Sequence, residues 1–209
     1  MSKAKRILDS PNPPSSEPGT ILVETERLII RRLYLSDAEA LAKCLNEPEV
    51  LSNLSDRFAV PYLTKHAEEY LSLPPSEATP EYPTGQGIFL KPGFPGNEHG
   101  RKPIMVGNCG THPQLDVAYR TWHLGYFIAK PFWGKGYATE AISAFVRFIF
   151  ATWPKLLRVE AHTYASNEGS QNVLRKVGFT QEGRLRSNIE KNGVVMDDMV
   201  YGILRDEVK

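Results

Sequence analysis

A strand passes into a helix across two glycines in the stretch WHLGYFIA-KPFWGKG-YATEA, residues 122–141. Its first eight residues are rich in aromatic and apolar types, as a half-buried strand requires. Beyond Gly136, the residues Ala138, Ala141, Ile142, Phe145, Phe148 and Ile149 recur at helical spacing. They form one apolar stripe that must lie on a sheet or another helix. Gly134 and Gly136 permit φ > 0 and leave the backbone between strand and helix uncovered. The first amides of such a helix have no partner within it, and with the macrodipole they favour an anion. A chain built on this unit folds as layered sheet and helices. The turn is either an anion cradle or a simple change of direction.

The flanking sequence extends the layered reading. ILVETERLIIRRL reads as a first strand, and DAEALAKCLNEP as a helix that Ser36 or Asp37 can cap and Pro48 stops. A second helix is expected over Thr64–Leu73, ended by Pro74 and Pro75. A Pro- and Gly-rich stretch from Pro74 to Pro103 contains one short strand, GIFLKP, and an exposed loop, PGFPGNEHGRKP. PIMVGNCG precedes the glycine-turn unit as a strand, and LLRVEAHTY follows it as another. SQNVLRKVGF is a short helix closed by Gly178. Two last strands, GRLRSNIEK and VVMDDMVYGIL, meet across Asn192-Gly193, a strong hairpin signal. The order β-α-α-β-β-β-α-β-α-β-β implies an α/β or α+β layer fold around one mixed sheet.

Length and charge limit the function. The 209 residues suit a single domain over residues 21–209, preceded by a leader (1–20) whose Pro and Ser content implies flexibility. Lys plus Arg (25) almost cancels Asp plus Glu (24), which argues against nucleic acid and against an anionic membrane. No apolar h-region opens the chain, and AISAFVRFIFATW is too short to span a bilayer and carries Arg147 at its middle. A cytoplasmic protein is expected, with Cys44 and Cys109 as reduced thiols and the sequon at Asn53 a chance match. Cys109 and His112 form a lone Cys-x-x-His without a second ligand pair, so no metal is expected.

Three anion-binding motifs can be fitted to the glycine turn. A nucleotide P-loop places its first glycine at Ala129 and its Mg²⁺-binding hydroxyl at Gly136, so two anchors fail. A dinucleotide fingerprint meets Thr139 at its third glycine. The third fit is a family resemblance. The turn resembles the acyl-CoA site of the GNAT N-acetyltransferase superfamily, [RQ]-x-x-G-x-[GA], on the passage from the fourth strand into a helix. TERLIIRRL, LGYFIAKPFWGKGYATEA, NEGSQNVLRKVGF and NGVVMDDMVYGILRDE fall in the order and spacing of the Rim-type branch of that superfamily. The resemblance covers about Ile21 to Glu207. It implies the GNAT fold, a mixed, mostly antiparallel sheet of six or seven strands flanked by about four helices. It also implies acetyl-CoA as co-substrate, a primary amine as acceptor, and a monomer or homodimer.

The resemblance assigns residues as well. The cofactor-binding set would be Phe127, Ile128, Ala129, Trp133, Gly134, Lys135, Gly136, Tyr137, Ala138, Asn167 and Ser170. Pyrophosphate binding would fall to the turn's backbone amides, and the amides near Ile128 would face the tetrahedral oxyanion. Two departures stand out. Pro131 replaces the motif's Arg or Gln, and Leu174 stands where many members carry a tyrosine that protonates the leaving thiolate. Ser170 stands at the position where members of the branch often place a serine near the CoA sulfur, and a plain helix-capping role is the alternative. Asn167 either contacts the pantetheine arm or serves as a turn residue.

Acetyl transfer also needs a base. His123 occupies the place of the family's glutamate in E-[IL]-G-Y, and an imidazole is largely neutral at pH 7 to 8. A structural histidine is the alternative there. Glu160, His162, Tyr164 and Arg158 share one face of the following strand by period-two geometry. Glu160 is the second base candidate, unless it only pairs with an arginine. Asp197 would order the tail hairpin or rim the acceptor site. The expected activity is acetyl-CoA-dependent N-acetylation of a protein N-terminal α-amine or a small amine by direct attack in a ternary complex. A non-catalytic acyl-CoA-binding module is the alternative, and a Mg-nucleotide phosphotransferase a distant third.

Overall fold

The structure, a computed structural model, describes residues 6–73 and 82–208. One eight-stranded sheet carries the fold: β1 (Ile21–Glu24), β2 (Leu28–Arg32), β3 (Gln86–Leu90), β4 (Ile104–Pro113), β5 (Thr121–Ile128), β6 (Arg158–Tyr164), β7 (Thr180–Lys191) and β8 (Val194–Leu204). Their order across the sheet is β1-β2-β3-β4-β5-β6-β8-β7, and only β5 and β6 run parallel. The helices are α1 (Ala38–Leu45), α2 (Pro48–Leu51), α3 (Thr64–Ser72), α4 (Tyr137–Thr152) and α5 (Glu168–Val177).

Side-chain alternation splits the core into two layers. Leu28, Ile30, Ile88, Leu90, Val106 and Leu124 pack under the α4 stripe. Phe89 and Met105 point the other way, onto Leu41, Ala42 and Leu45 of α1 and Ala67 of α3. With one face covered by each helical layer, all five residues of β3 are buried.

The expected single first strand is instead a hairpin. Thr25 turns it: its hydroxyl accepts from the Leu28 amide at 2.9 Å and donates to Glu140 Oε1 at 2.5 Å. Glu140 also takes the Arg27 amide at 3.1 Å and the Arg27 guanidinium at 2.5 Å. A carboxylate in the first turn of α4 is favoured by the helix dipole, so the same residue starts the helix and bends the hairpin. Burial raises its pKa, but the Thr25 and Arg27 hydrogen bonds outweigh that and hold it below the ordinary carboxylate range. Besides the hairpin, α2 is the element that the sequence reading did not separate, so the sheet has one strand and the fold one helix more than expected. Pro48, read as a stop for the first helix, is also the first residue of α2, where its missing N–H costs nothing.

Ile7, Leu8 and Ser10, expected as part of a flexible leader, lie against the α4 layer. Leu8 is only 2% exposed. Its amide donates to the Tyr82 hydroxyl at 2.8 Å, which in turn donates to the Leu8 carbonyl at 2.6 Å. Tyr82 packs on Trp122 and Trp153, with ring centroids at 4.6 and 5.6 Å. Ser10 Oγ donates to the Thr152 carbonyl at 2.6 Å, at the end of α4. Of the Pro- and Gly-rich stretch, residues 74–81 lie outside the described residues. The 92–103 loop is tied by Asn97, whose amide donates to the Leu90 and Lys102 carbonyls. The Tyr137 hydroxyl holds the same loop through the Pro95 carbonyl at 2.7 Å. Leu8→Ala should lower the unfolding free energy by about 3 kcal/mol in urea denaturation, as for other buried leucines. A loss below about 0.5 kcal/mol would mean that the segment does not dock in solution.

Candidate active site

The two central strands separate. β5 and β6 pair only at Thr121–Arg158, Trp122–Val159 and His123–Glu160. Beyond that rung β6 stays with β8 through to Tyr164, while β5 stays with β4 through to Ile128. The Ala129 amide bonds the Val106 carbonyl at 2.8 Å. By ladder alternation, Tyr126 and Ile128 therefore direct their N–H and C=O groups toward the departed β6. The Ile128 carbonyl accepts from the Trp133 indole at 2.6 Å. The Ile128 amide, with no β6 rung beside it, is left to the gap.

A cleft of about 560 Å³ fills this gap. One wall is Tyr126, Phe127 and Ile128; the opposite wall is Asn167, Ser170 and Val173 of the β6–α5 corner. Trp133, Gly134, Gly136, Tyr137 and Ala138 line the far end. Gly134 and Gly136 have φ of +74° and +80°, the left-handed region that strains any residue with a Cβ. A Cβ at Gly134 would meet nothing within 4 Å. Gly136 caps α4 with no side-chain hydrogen bond, which leaves the first-turn amides to whatever occupies the cleft. Behind the turn, Arg27 donates to the Lys135 carbonyl at 3.1 Å and stacks on the Tyr137 ring at 4.7 Å. The turn is braced from the side opposite its opening.

Most of the sequence-derived cofactor set thus lines one cavity. Ala129 does not, because it is buried in the α1 layer. The Lys135 side chain folds back, its ammonium donating to the Pro131 carbonyl at 2.9 Å. Asn167 is the cap of α5, its Oδ1 accepting the Ser170 amide at 3.0 Å. The capping alternative for Ser170 therefore passes to Asn167. Ser170 Oγ instead lies 2.8 Å from the hydroxyl of Tyr126. Leu174 is fully buried in the core.

The base candidates stand where β5 and β6 part, next to the cleft but not among the residues that line it. His123 and Glu160 are partners in the last β5–β6 rung. His162 is two residues further along, its ring 5.3 Å from that of His123. Donor atoms of His123, Glu160 and His162 lie within 4.8 Å of one another, so a proton released among them needs at most one bridging water to pass between them. Burial, then the neighbouring His162, push the His123 pKa down. His112, opposite His123 in β4, is pushed down by burial as well. His162 Nδ1 pairs with the buried Asp198 at 2.7 Å. Glu160 accepts from the Gln114 amide at 2.9 Å and lies 3.6 Å from Arg158, which pairs more closely with Glu182. Asp197 takes the Arg184 guanidinium and the Ser187 amide, the ordering role in the tail hairpin.

Comparison with known proteins agrees with this geometry. Residues 27–180 match the family model "Acetyltransferase (GNAT) domain". The chain belongs to the GNAT acetyltransferase family, and it is an acyltransferase. The uncharacterized N-acetyltransferase YoaA of Bacillus subtilis (strain 168) is 32% identical over 186 residues, covering 88% of this chain and 97% of that protein. The ribosomal-protein-S5-alanine acetyltransferase of Vibrio fischeri superposes with a TM-score of 0.73 at 20% identity, over 90% of this chain and 98% of the other. Mycobacterium smegmatis RimJ, solved with CoA-disulfide, gives 0.70 at 24% identity over 87% and 83%. The Rim-type resemblance of the four sequence motifs is thus met at the level of fold.

Two readouts test the turn. Gly134→Glu and Gly136→Asp should each abolish CoA binding in titration calorimetry, because a carboxylate would stand in the anion's volume. The melting temperature should fall only by a few degrees, as strain at a φ > 0 position costs about 1–2 kcal/mol. Unchanged CoA affinity in either variant would move the cradle elsewhere.

Proposed function

We propose that the protein transfers the acetyl group of acetyl-CoA to a primary amine by direct attack in a ternary complex. One observation carries the reading: beyond the last β5–β6 rung, beside which the imidazole cluster stands, the strand edge at Tyr126 and Ile128 opens into one cleft that ends at an uncapped glycine turn. The turn's amides and the α4 dipole suit a pyrophosphate. The edge suits the amide groups of an extended pantetheine arm, and the Ile128 N–H suits the developing oxyanion. Solved relatives of the same fold hold CoA, which supports acetyl-CoA as the donor. A cytoplasmic location fits the two buried free thiols, and no helix among the described residues is long and apolar enough to cross a membrane.

In this reading the acceptor amine attacks the thioester carbon, and its surplus proton passes to His123, directly or through one water. Glu160 is the alternative acceptor of that proton. The lone pair released by C–S cleavage goes to sulfur, beside Ser170. A depressed His123 pKa makes the imidazole a ready but weak base, which suits an amine already partly neutral. At pH 7 an α-amine is about 14% neutral, against about 0.04% for a lysine side chain. The chemistry therefore favours a protein N-terminus or another low-pKa amine, and the ribosomal-protein acetyltransferase among the structural relatives is in line with that choice.

The sign of the pH dependence follows. The base works when unprotonated, so the rate rises with pH through the pKa of His123. Burial places that pKa below the ordinary value of about 6.5. With a low-pKa amine as acceptor, kcat should show a rising limb centred below about pH 6.5. His123→Ala should lose this limb and about 10²- to 10⁴-fold in rate while still binding CoA. Near-normal turnover with the limb retained would transfer the role to Glu160. Ser170→Ala should lower kcat about ten-fold with little change in CoA affinity. An unchanged kcat would remove Ser170 from the chemistry.

A further inference from the structure

Tyr126 took no part in the sequence-derived site, yet its hydroxyl is the one that meets Ser170. We propose that Tyr126 is a positioning residue for acyl transfer: its phenol donates to Ser170 Oγ and thereby turns the serine proton toward the leaving sulfur. The proposal rests on the acetyl-transfer reading of the same cleft.

The argument is one of hydrogen-bond valence. Tyr126 Oη lies 2.8 Å from Ser170 Oγ and 3.2 Å from the Ser170 carbonyl oxygen. The phenol has one proton, so it serves one of these acceptors at a time. If it serves the carbonyl, the serine proton points at the phenol and only a serine lone pair faces the cleft. If it serves Oγ, the serine proton is released. Ser170's amide is already committed to Asn167 Oδ1, and the backbone around it is fixed in the first turn of α5. Among the described residues Ser170 Oγ has no hydrogen-bond partner besides Tyr126, so a released proton is directed into the cleft that both residues line. A sulfur gaining negative charge selects this second arrangement, because a lone pair there would repel it.

Burial favours the same role. It pushes the Tyr126 pKa up to about 12, so the phenol remains a neutral donor through the working range and is a poor acid. No proton leaves Tyr126. The N–C bond forms as the C–S bond breaks, the electron pair goes to sulfur, and the surplus amine proton goes to the base where β5 and β6 part. Ser170 contributes the hydrogen bond to the thiolate, and Tyr126 holds that serine proton in place by donating to Oγ. The sheet thus supplies, by way of Ser170, a hydroxyl on the side of the cleft where Leu174 supplies none.

The thiol of bound CoA reports this directly, without turnover. Its titration is followed by the ultraviolet band of the thiolate, in the wild type, Tyr126→Phe, Ser170→Ala and the double variant. The protein's own thiols stay silent in this window: burial pushes Cys44 up to about 12 and Cys109 higher still. Tyr126→Phe should make the bound thiol about ten-fold less acidic and lower kcat about ten-fold. The KM for acetyl-CoA should stay within about two-fold. Ser170→Ala should show the same changes, and Tyr126→Phe added to it should do nothing more, since Tyr126 acts through the serine. A folded Tyr126→Phe with the wild-type thiol titration overturns the proposal. Should that variant not fold, unaltered titration in Ser170→Ala overturns it equally. A wild-type protein that binds no CoA would instead overturn the acetyl-transfer reading on which the proposal rests.

Discussion

Three rungs of parallel pairing hold β5 to β6, and the site depends on there being no fourth. A strand edge inside a protein has to satisfy its N–H and C=O groups somewhere. Here β6 is held by β8 along its whole length, and the Asn167 cap then turns the chain into α5. β5 is held by β4. The two halves of the sheet are each satisfied on their outer sides, and the cleft between them carries the unspent hydrogen-bonding capacity of Tyr126 and Ile128. Gly125 sits next to this opening with nothing within 4 Å of a Cβ position, so no side chain closes the gap from the α1 side.

Rigidity at the two ends of the cleft has different sources. At the glycine turn it comes from Glu140, which gathers Thr25 and Arg27 and through Arg27 reaches the Lys135 carbonyl. A φ > 0 turn with no side chain of its own has to be braced from outside, and the β1–β2 hairpin does this. Where the strands part, the brace is the hydrogen-bonded shell around His162 and Glu160. Asp198 fixes His162, and Gln114 with Arg158 fixes Glu160. In the proposed reading, groups held this way lose little by ordering when substrate arrives.

Much of this was legible in the sequence, and what was not has physical reasons. The glycine turn, α4 and the terminal hairpin follow from local rules: backbone freedom at Gly134 and Gly136, a helical apolar stripe, and Asn192-Gly193. Splitting of the first strand at Thr25 was not legible, because its cause is a hydrogen bond to Glu140, 115 residues away. Docking of Leu8 depends on Tyr82 and is equally non-local. The sequence placed Ser170 at the start of α5 but could not tell a cap from a free hydroxyl. That distinction needed the position of Asn167 Oδ1. Tyr126 was hidden by its own alternation: in LGYF it reads as one more core-facing strand residue, and only the separation of β6 reveals what its hydroxyl meets. Strand period two did place Glu160 and His162 on one face of β6, though not their distances to His123.

Amide resonances give the most direct test of the central claim, that the gap between β5 and β6 is an acyl-CoA slot with its anion end at the glycine turn. Isotope-labelled protein titrated with CoA should show its largest amide shifts, and new protection from hydrogen exchange, at Gly134, Gly136, Tyr137 and Ala138. A second group should appear at Tyr126 and Ile128, where the strand edge gains partners. Shifts confined to surfaces outside the cleft, with the Gly134–Ala138 and Ile128 amides unmoved at saturating CoA, would contradict it.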